Sequence, residues 1–263
     1  MATLQGSWIW YELMTPDPEA ARAFYEPVVG WSMTTAHGAD DSYGFITGAD
    51  GQMTGGVLRL SAEMRDHGAG PRWLGYVAVD DCDAAVAAIT AAGGQCTMPP
   101  RDVEMAGRMA MVSDCCGAPF YIMTPTPPPG GGQSAAFSPT RIGACGWNEL
   151  LAGDQAKALE FYTGLFGWTL PEGMPMGDLG TYQFIAHDGV QIGAVVQRHP
   201  QISTPPGWNH YFRVASIADA VRAIETHGGQ IITGPHPVPG DDWIVQATDP
   251  QGGFFCLVGA KGD

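Results

Sequence analysis

The chain repeats itself. WYELMTPDPEAARAFYEPVVGW (10–31) aligns without gaps on WNELLAGDQAKALEFYTGLFGW (147–168) with nine of 22 positions identical, and WLGYVAVDDCDAAVAAITAAGGQ (73–95) aligns on WNHYFRVASIADAVRAIETHGGQ (208–230) with ten of 23. The intervening DGQMTGGV and DGVQIGAV also correspond. Unrelated segments of this length share about one or two positions, so the chain is a tandem repeat with a period of about 135 residues. Whatever one half folds into, the other should fold into as well, and a single doubly wound sheet through the whole chain is not expected. TPTPPPGGGQSAAFSPT (124–140) separates the halves, and its run of proline and glycine reads as a poorly packed linker near Pro127 to Ser138. The expected organisation is a domain over 5–124, a linker over 125–142 and a second domain over 143–259.

Each half divides again into two units of one plan: a strand, a helix, then three short strands. Trp8, Trp10, Glu12 and Met14 alternate with Ile9, Tyr11 and Leu13, the period-two pattern of a strand. Asp17 is placed to cap the following helix with Pro18 at its first position, Ala21, Phe24, Tyr25 and Val28 recur at helical spacing, and Gly30 ends it. Strands are expected near 31–35, 43–47 and 55–60. The second unit repeats this order with a strand at 73–79, a helix at about 81–92, the breaker Gly93-Gly94, and strands near Cys96, 109–113 and 120–123. The plan is βαβββ four times over, and 37 glycines with 21 prolines agree with many short strands and turns.

The charge narrows the partners. Twenty-seven acidic against 12 basic side chains give a formal charge of −15, which repels phosphate backbones and anionic lipid, so neither a nucleic acid nor a membrane is an expected partner. The start MATLQGSWIWYELMTPD has no basic stretch followed by a long apolar one, and no segment approaches the roughly 20 apolar residues of a membrane span, so a cytoplasmic protein is expected. The six cysteines, Cys82, Cys96, Cys115, Cys116, Cys145 and Cys256, include no CxxC and no zinc-type spacing and read as free thiols; the adjacent Cys115 and Cys116 fall in an expected turn. No G-x-S-x-G elbow, HExxH or phosphate-binding glycine loop is present.

ELMTPDPEAARAFYEPVVGW, ELLAGDQAKALEFYTGLFGW and the endings SDCCGAPFYIM and TDPQGGFFCLV, set in paired βαβββ units, resemble the vicinal oxygen chelate superfamily. That is the group of glyoxalase I, extradiol dioxygenases, and fosfomycin- and bleomycin-resistance proteins. The resemblance covers nearly all of the chain outside the linker. It implies an α+β fold, a tandem repeat of two glyoxalase-like domains, each a half-open barrel whose concave face holds a ligand. In the enzymes of the group, His, Gln or Glu side chains on the first and last strands of each unit bind a divalent metal that chelates adjacent substrate oxygens. Carried over by register, those positions fall on Trp10, Leu74 and Tyr121 in the first half and on Trp147, Asn209 and Cys256 in the second. GGVLRL and GAVVQ, the last strands of the leading units, contain no His, Asp or Glu. No metal or other cofactor is therefore expected; the alternative is a rearranged divalent-metal site built on Glu149 and His210.

Glu12 and Glu149 occupy identical places in the repeats on otherwise apolar strands, where a buried carboxylate is costly unless hydrogen-bonded. They are the candidate catalytic residues, as ligand anchors or general bases, against the alternative of structural carboxylates bonded to nearby backbone or arginine. Trp10, Arg108, Tyr121, Trp147, His210 and Trp243 are the candidate substrate-binding residues, with core packing the competing role for the aromatic ones and a solvated rim that for Arg108. His37, His67, His187 and His199 fall in glycine- or proline-rich turns and read as solvent-facing. The expectation is a glyoxalase or bleomycin-resistance-like protein that binds a small, apolar or planar molecule without the usual metal, as a monomer or weak homodimer because duplication supplies what paired subunits supply elsewhere. The alternative is a metal-dependent lyase, isomerase or dioxygenase with its site in the second half.

Overall fold

In a computed structural model, residues 4–35, 42–127, 133–201 and 204–263 are described. The first half forms β1 (Trp8–Thr15), α1 (Pro18–Val29), β2 (Ser32–Thr35), β3 (Tyr43–Thr47), β4 (Met53–Arg59), α2 (Ala62–Asp66), β5 (Arg72–Ala78), α3 (Cys82–Ala91), β6 (Gln95–Val103), β7 (Gly107–Ser113) and β8 (Pro119–Pro125). The second forms β9 (Cys145–Ala152), α4 (Gln155–Phe166), β10 (Met174–Pro175), β11 (Thr181–His187), β12 (Val190–Gln197), β13 (Gly207–Val214), α5 (Ile217–Thr226), β14 (Gln230–Pro237), β15 (Trp243–Thr248) and β16 (Phe254–Gly259). The strand orders are β2-β3-β4-β1-β5-β8-β7-β6 and β10-β11-β12-β9-β13-β16-β15-β14, one order written twice. This is the α+β tandem repeat of paired βαβββ units that the sequence implies.

Local chemistry sets the boundaries. Asp17 adopts extended backbone and its carboxylate accepts from the N–H groups of Glu19 and Ala20, with Pro18 at the first helical position. Asp154 caps α4 in the same way through Lys157 N–H. Both helices end on a left-handed glycine, Gly30 at φ 80° and Gly167 at φ 67°, where a side chain would be strained. β1 and β4 run parallel, as do β9 and β12, with Glu12 opposite Gly56 and Glu149 opposite Ala194. The short helix α2 had no periodic signal in the sequence, and none of its residues is buried.

The compact units of the chain do not follow its halves. One comprises 1–9, 75–133 and 148–209, and the other 10–74, 134–147 and 210–263, so each takes one βαβββ module from each half. The repeat makes the two units' interiors alike. In the first, Trp208 Nε1 donates to Tyr162 Oη at 2.9 Å and Tyr162 donates to Asp114 Oδ2 at 3.3 Å. In the second, Trp73 Nε1 donates to Tyr25 Oη at 3.2 Å and Tyr25 donates to Asp249 Oδ2 at 2.9 Å. Trp168 Nε1 bonds Gly6 O at 2.8 Å in the first unit and Trp31 Nε1 bonds Gly143 O at 2.8 Å in the second. Burial raises the tyrosines well above their usual value and lifts Asp114 and Asp249 as well. The tyrosine of each Phe-Tyr pair and the tryptophan of each Gly-Trp pair thus bond a partner from the other half, as parts of an interior lock.

Within the stretch expected to be a poorly packed linker, the residues from Ala135 to Ser138 are buried or half-buried. Ala136 is fully buried, Cys145 N bonds Ala136 O and Ser138 N bonds Cys145 O at 2.9 Å each, and Arg141 reaches Asp50, Thr54 and the carbonyl of Ala135. His187 is also half-buried, packed beside Gly6, whereas His67 and His199 are exposed; His37 lies outside the described residues.

Candidate functional site

The two glutamates, equivalent in sequence, stand in different surroundings. Glu149, on β9, is half-buried, and its carboxylate accepts from Tyr182 Oη on β11 at 2.8 Å and from Asn209 Nδ2 on β13 at 3.3 Å. Both donors are neutral and fix the two oxygens without neutralising them, which suits a carboxylate meant to meet a further hydrogen-bond donor or a proton. The Tyr182 ring meets the half-buried Phe184, two residues along β11, edge to face with centroids 5.8 Å apart, so an aromatic surface adjoins the carboxylate. Glu12, on β1, is only 3% exposed. Beside it Trp10 Nε1 donates to Tyr43 Oη at 2.9 Å, and that hydroxyl occupies the space a Cβ on Gly56, the register partner of Glu12, would fill. Tyr43 and Tyr182 hold corresponding places on β3 and β11, so a glutamate beside a strand tyrosine is the repeated element. Only in the second half is that glutamate open to solvent.

The remaining candidates are distributed as follows. Tyr121 is buried and stacked on Tyr76, centroids 4.3 Å apart and planes at 20°. Trp147 packs with Ile244 and Phe254 against a buried cluster of Tyr211, Cys256 and Val258, and Gln246 Nε2 donates to Tyr211 Oη at 2.7 Å. Trp243 is half-buried with the Lys261 ammonium 5.1 Å from its ring centre. Arg108 is engaged by Asp83 and Asp102, both more exposed than it is, so it belongs to a solvated ion-pair rim. Alternation along β13 turns Asn209 toward Glu149 and the next residue to the other strand face, where the His210 ring packs 4.9 Å from Tyr11. Burial there lowers the His210 pKa to about 3.

A divalent ion of the family's kind needs several imidazole or carboxylate ligands converging on one point. The positions the resemblance assigns to it carry Trp10 bonded to Tyr43, buried Leu74, Tyr121 stacked on Tyr76, Trp147 packed on Tyr211, Asn209 bonded to Glu149, and buried Cys256. Among the described residues no three His, Cys, Asp or Glu side chains are grouped to hold an ion. These residues do not fit the metal of the superfamily's enzymes. Tyr182, Asn209 and Tyr43 were not among the sequence candidates. The signal for the two tyrosines was their presence at matching places in both repeats, and Asn209 had been named only as a place for a metal ligand, but nothing in a strand's periodicity says which neighbour a side chain will reach.

Comparison with known proteins places the chain. The profile of the Glyoxalase/Bleomycin resistance protein/Dioxygenase superfamily matches residues 9–122 and 141–257. The Mycobacterium bovis protein named "Putative glyoxylase CFP32" is 30% identical over 256 residues, spanning 97% of this chain and 95% of its own. The "Anthracycline biosynthesis protein DnrV" of Streptomyces peucetius is 27% identical, spanning 96% and 93%. Among solved structures, the Mn(II)-bound glyoxalase of Novosphingobium aromaticivorans superposes with a TM-score of 0.65 at 18% identity, covering 97% of this chain and 82% of that one. The 2,3-dioxygenase LapB of Pseudomonas sp. KL28 gives 0.63 at 16%, covering 97% and 93%. With its sequence, strand order and repeat all in agreement, the chain belongs to the Glyoxalase/Bleomycin resistance protein/Dioxygenase superfamily.

Proposed function

We propose that this protein binds a small, planar, largely apolar molecule carrying a hydrogen-bond donor, in its second half and without the superfamily's metal. The observation that carries this reading is the Glu149–Tyr182–Asn209 cluster with Phe184 against it. The oriented, half-exposed carboxylate and Asn209 stand on the first strands β9 and β13, where metalloenzymes of the fold place ligands, and the Tyr182–Phe184 surface on β11 adjoins them. The name of one relative, an anthracycline biosynthesis protein, is consistent with it, because an anthracycline is a planar polycycle bearing phenolic hydroxyls. A concave, mostly apolar site with a few fixed polar groups is the general form of a small-molecule site.

A second reading is favoured by the same carboxylate. Glu149, held by two neutral donors, is placed to act as a general base toward an acidic C–H or O–H of the bound molecule, which would make the protein an enzyme of the glyoxalase-like group. The metal-dependent form of that reading, a lyase, isomerase or dioxygenase, is tested by metal content. Purified protein is expected to hold less than about half an equivalent of divalent metal, with an unchanged melting temperature after chelation, since absent ligands cannot couple metal binding to folding. Stoichiometric Zn, Ni, Mn or Fe with a fall in Tm on chelation would make the metalloenzyme reading the leading one.

The site itself is tested by Glu149→Gln, with an anthracycline as probe and tryptophan quenching as readout. Because Glu149 is half-exposed and glutamine keeps the shape, stability should change by about 1 kcal/mol or less while affinity falls roughly tenfold. The matching Glu12→Gln should leave affinity unaltered, its carboxylate being closed off from solvent. Equal affinity for Glu149→Gln and the unaltered protein would remove Glu149 from the site.

A further inference from the structure

The turn ahead of β8 and the turn ahead of β16 are one device used twice. Asp114 Oδ1 accepts from Cys116 N at 2.8 Å and Ala118 N at 2.9 Å, and Asp249 Oδ1 accepts from Gln251 N and Gly253 N at 2.8 Å each. The copies part at the two residues after the aspartate. Ahead of β16 these are Pro250 and Gln251, and the Gln251 side chain clamps the N-cap of α1, accepting from Asp17 N at 2.9 Å and donating to Asp17 O at 3.0 Å. Ahead of β8 they are Cys115 and Cys116. Cys116 Sγ meets the carbonyl of Asp154, the N-cap of α4, only at 3.9 Å, a weak tie in place of two good ones. Packing therefore does not require cysteine here, since proline and glutamine build the same turn and bind its neighbour better.

What the cysteines add is a pair of half-buried sulfurs 3.9 Å apart. Asp154 chiefly stabilises the nearby Lys157 ammonium, which keeps a positive charge close to this turn. Burial and the adjoining sulfur push the Cys115 thiol up. The other cysteines differ in setting: Cys82, Cys145 and Cys256 are buried and Cys96 is exposed. We propose that Cys115 and Cys116 form an oxidative modification site, a vicinal dithiol that closes to a disulfide by exchange with a low-molecular-weight disulfide such as oxidised glutathione. One of the two, as thiolate, attacks the external disulfide and releases one glutathione thiolate. The other cysteine then displaces the second glutathione, losing its proton to solvent. Two protein thiols become one disulfide and one oxidised glutathione becomes two reduced ones. Adjacent Cα atoms lie about 3.8 Å apart, below the usual range for a disulfide, so the bond is strained and readily reduced, which makes the modification reversible.

The test exposes the intact, folded protein to oxidised glutathione at a concentration that fully modifies the exposed Cys96, quenches with acid, then unfolds the chain, alkylates remaining thiols and maps the peptides by mass spectrometry. The peptide with Cys115 and Cys116 should lose two hydrogens, carry no glutathione and resist alkylation. A roughly tenfold excess of reduced glutathione should restore both thiols. Cys115→Ser should abolish the two-hydrogen loss and leave Cys116 carrying glutathione. The proposal is overturned if, in the unaltered protein, either cysteine keeps a glutathione adduct or both stay alkylatable once Cys96 is modified.

Discussion

Asp114→Ala is expected to lower the unfolding free energy by about 3–5 kcal/mol in urea denaturation, and Asp249→Ala by a similar amount, each a large share of the about 5–15 kcal/mol that holds a domain together. Asp114 is 2% exposed and Asp249 3%. Each carboxylate accepts two backbone N–H groups and a tyrosine hydroxyl that in turn accepts an indole N–H. Alanine strands all of these donors in a space too closed for free hydration. Asp114→Asn and Asp249→Asn should cost much less. The amide oxygen still accepts from the backbone, and burial already pushes these carboxyls toward their neutral form. An alanine variant within about 1 kcal/mol of the unaltered protein would mean that water enters the turn and the lock is not closed.

Stability should also fall steeply in acid because of His210. Its pKa lies near the ordinary 6.5 in the unfolded chain and is lowered to about 3 in the folded one by burial. Between those values the unfolded state binds a proton that the native state refuses. The contribution is fully present above about pH 6.5 and is lost as pH falls toward 3, at about 1.4 kcal/mol per pH unit. At pH 5 the loss is about 2 kcal/mol. Asp114 and Asp249 act oppositely, since their raised folded values mean that mild acid protonates the native state first and favours it. The comparison that isolates the histidine is therefore His210→Gln against the unaltered protein at pH 7.5 and pH 5. The variant should show a shallower acid decline by about 2 kcal/mol, and parallel declines would place the ring in contact with solvent.

Much of this architecture was legible in the residues because its causes are local. Asp17, Pro18 and Gly30 mark a helix by capping chemistry that acts over four residues, and Trp8 to Met14 mark a strand by alternation. Repetition then carried those readings to the other half. What was not legible is long-range. Tyr25 and Asp249 both stood in recognised motifs, yet no pattern within a half indicates that the aspartate bonded to Tyr25 would come from the other half, 224 residues away. The site was read to the same depth. Glu149 could be placed by register, but Asn209 rather than His210 meets it because of which face of β13 each occupies, and a slip of one residue in register exchanges the two.

The exchange of modules between the halves also sets an order of assembly. One unit is built chiefly from the middle of the chain, 75–133 and 148–209, and its Tyr162–Asp114 bond spans 48 residues. The other is built mainly from the two outer stretches, 10–74 and 210–263, and its Tyr25–Asp249 bond spans 224. Closing the longer loop costs about 1.4 kcal/mol more in chain entropy, and Asp249 follows Tyr162 and Asp114 in the chain. The lock between Tyr162 and Asp114 thus has all its parts in the chain before Asp249, the partner that Tyr25 needs, has been added.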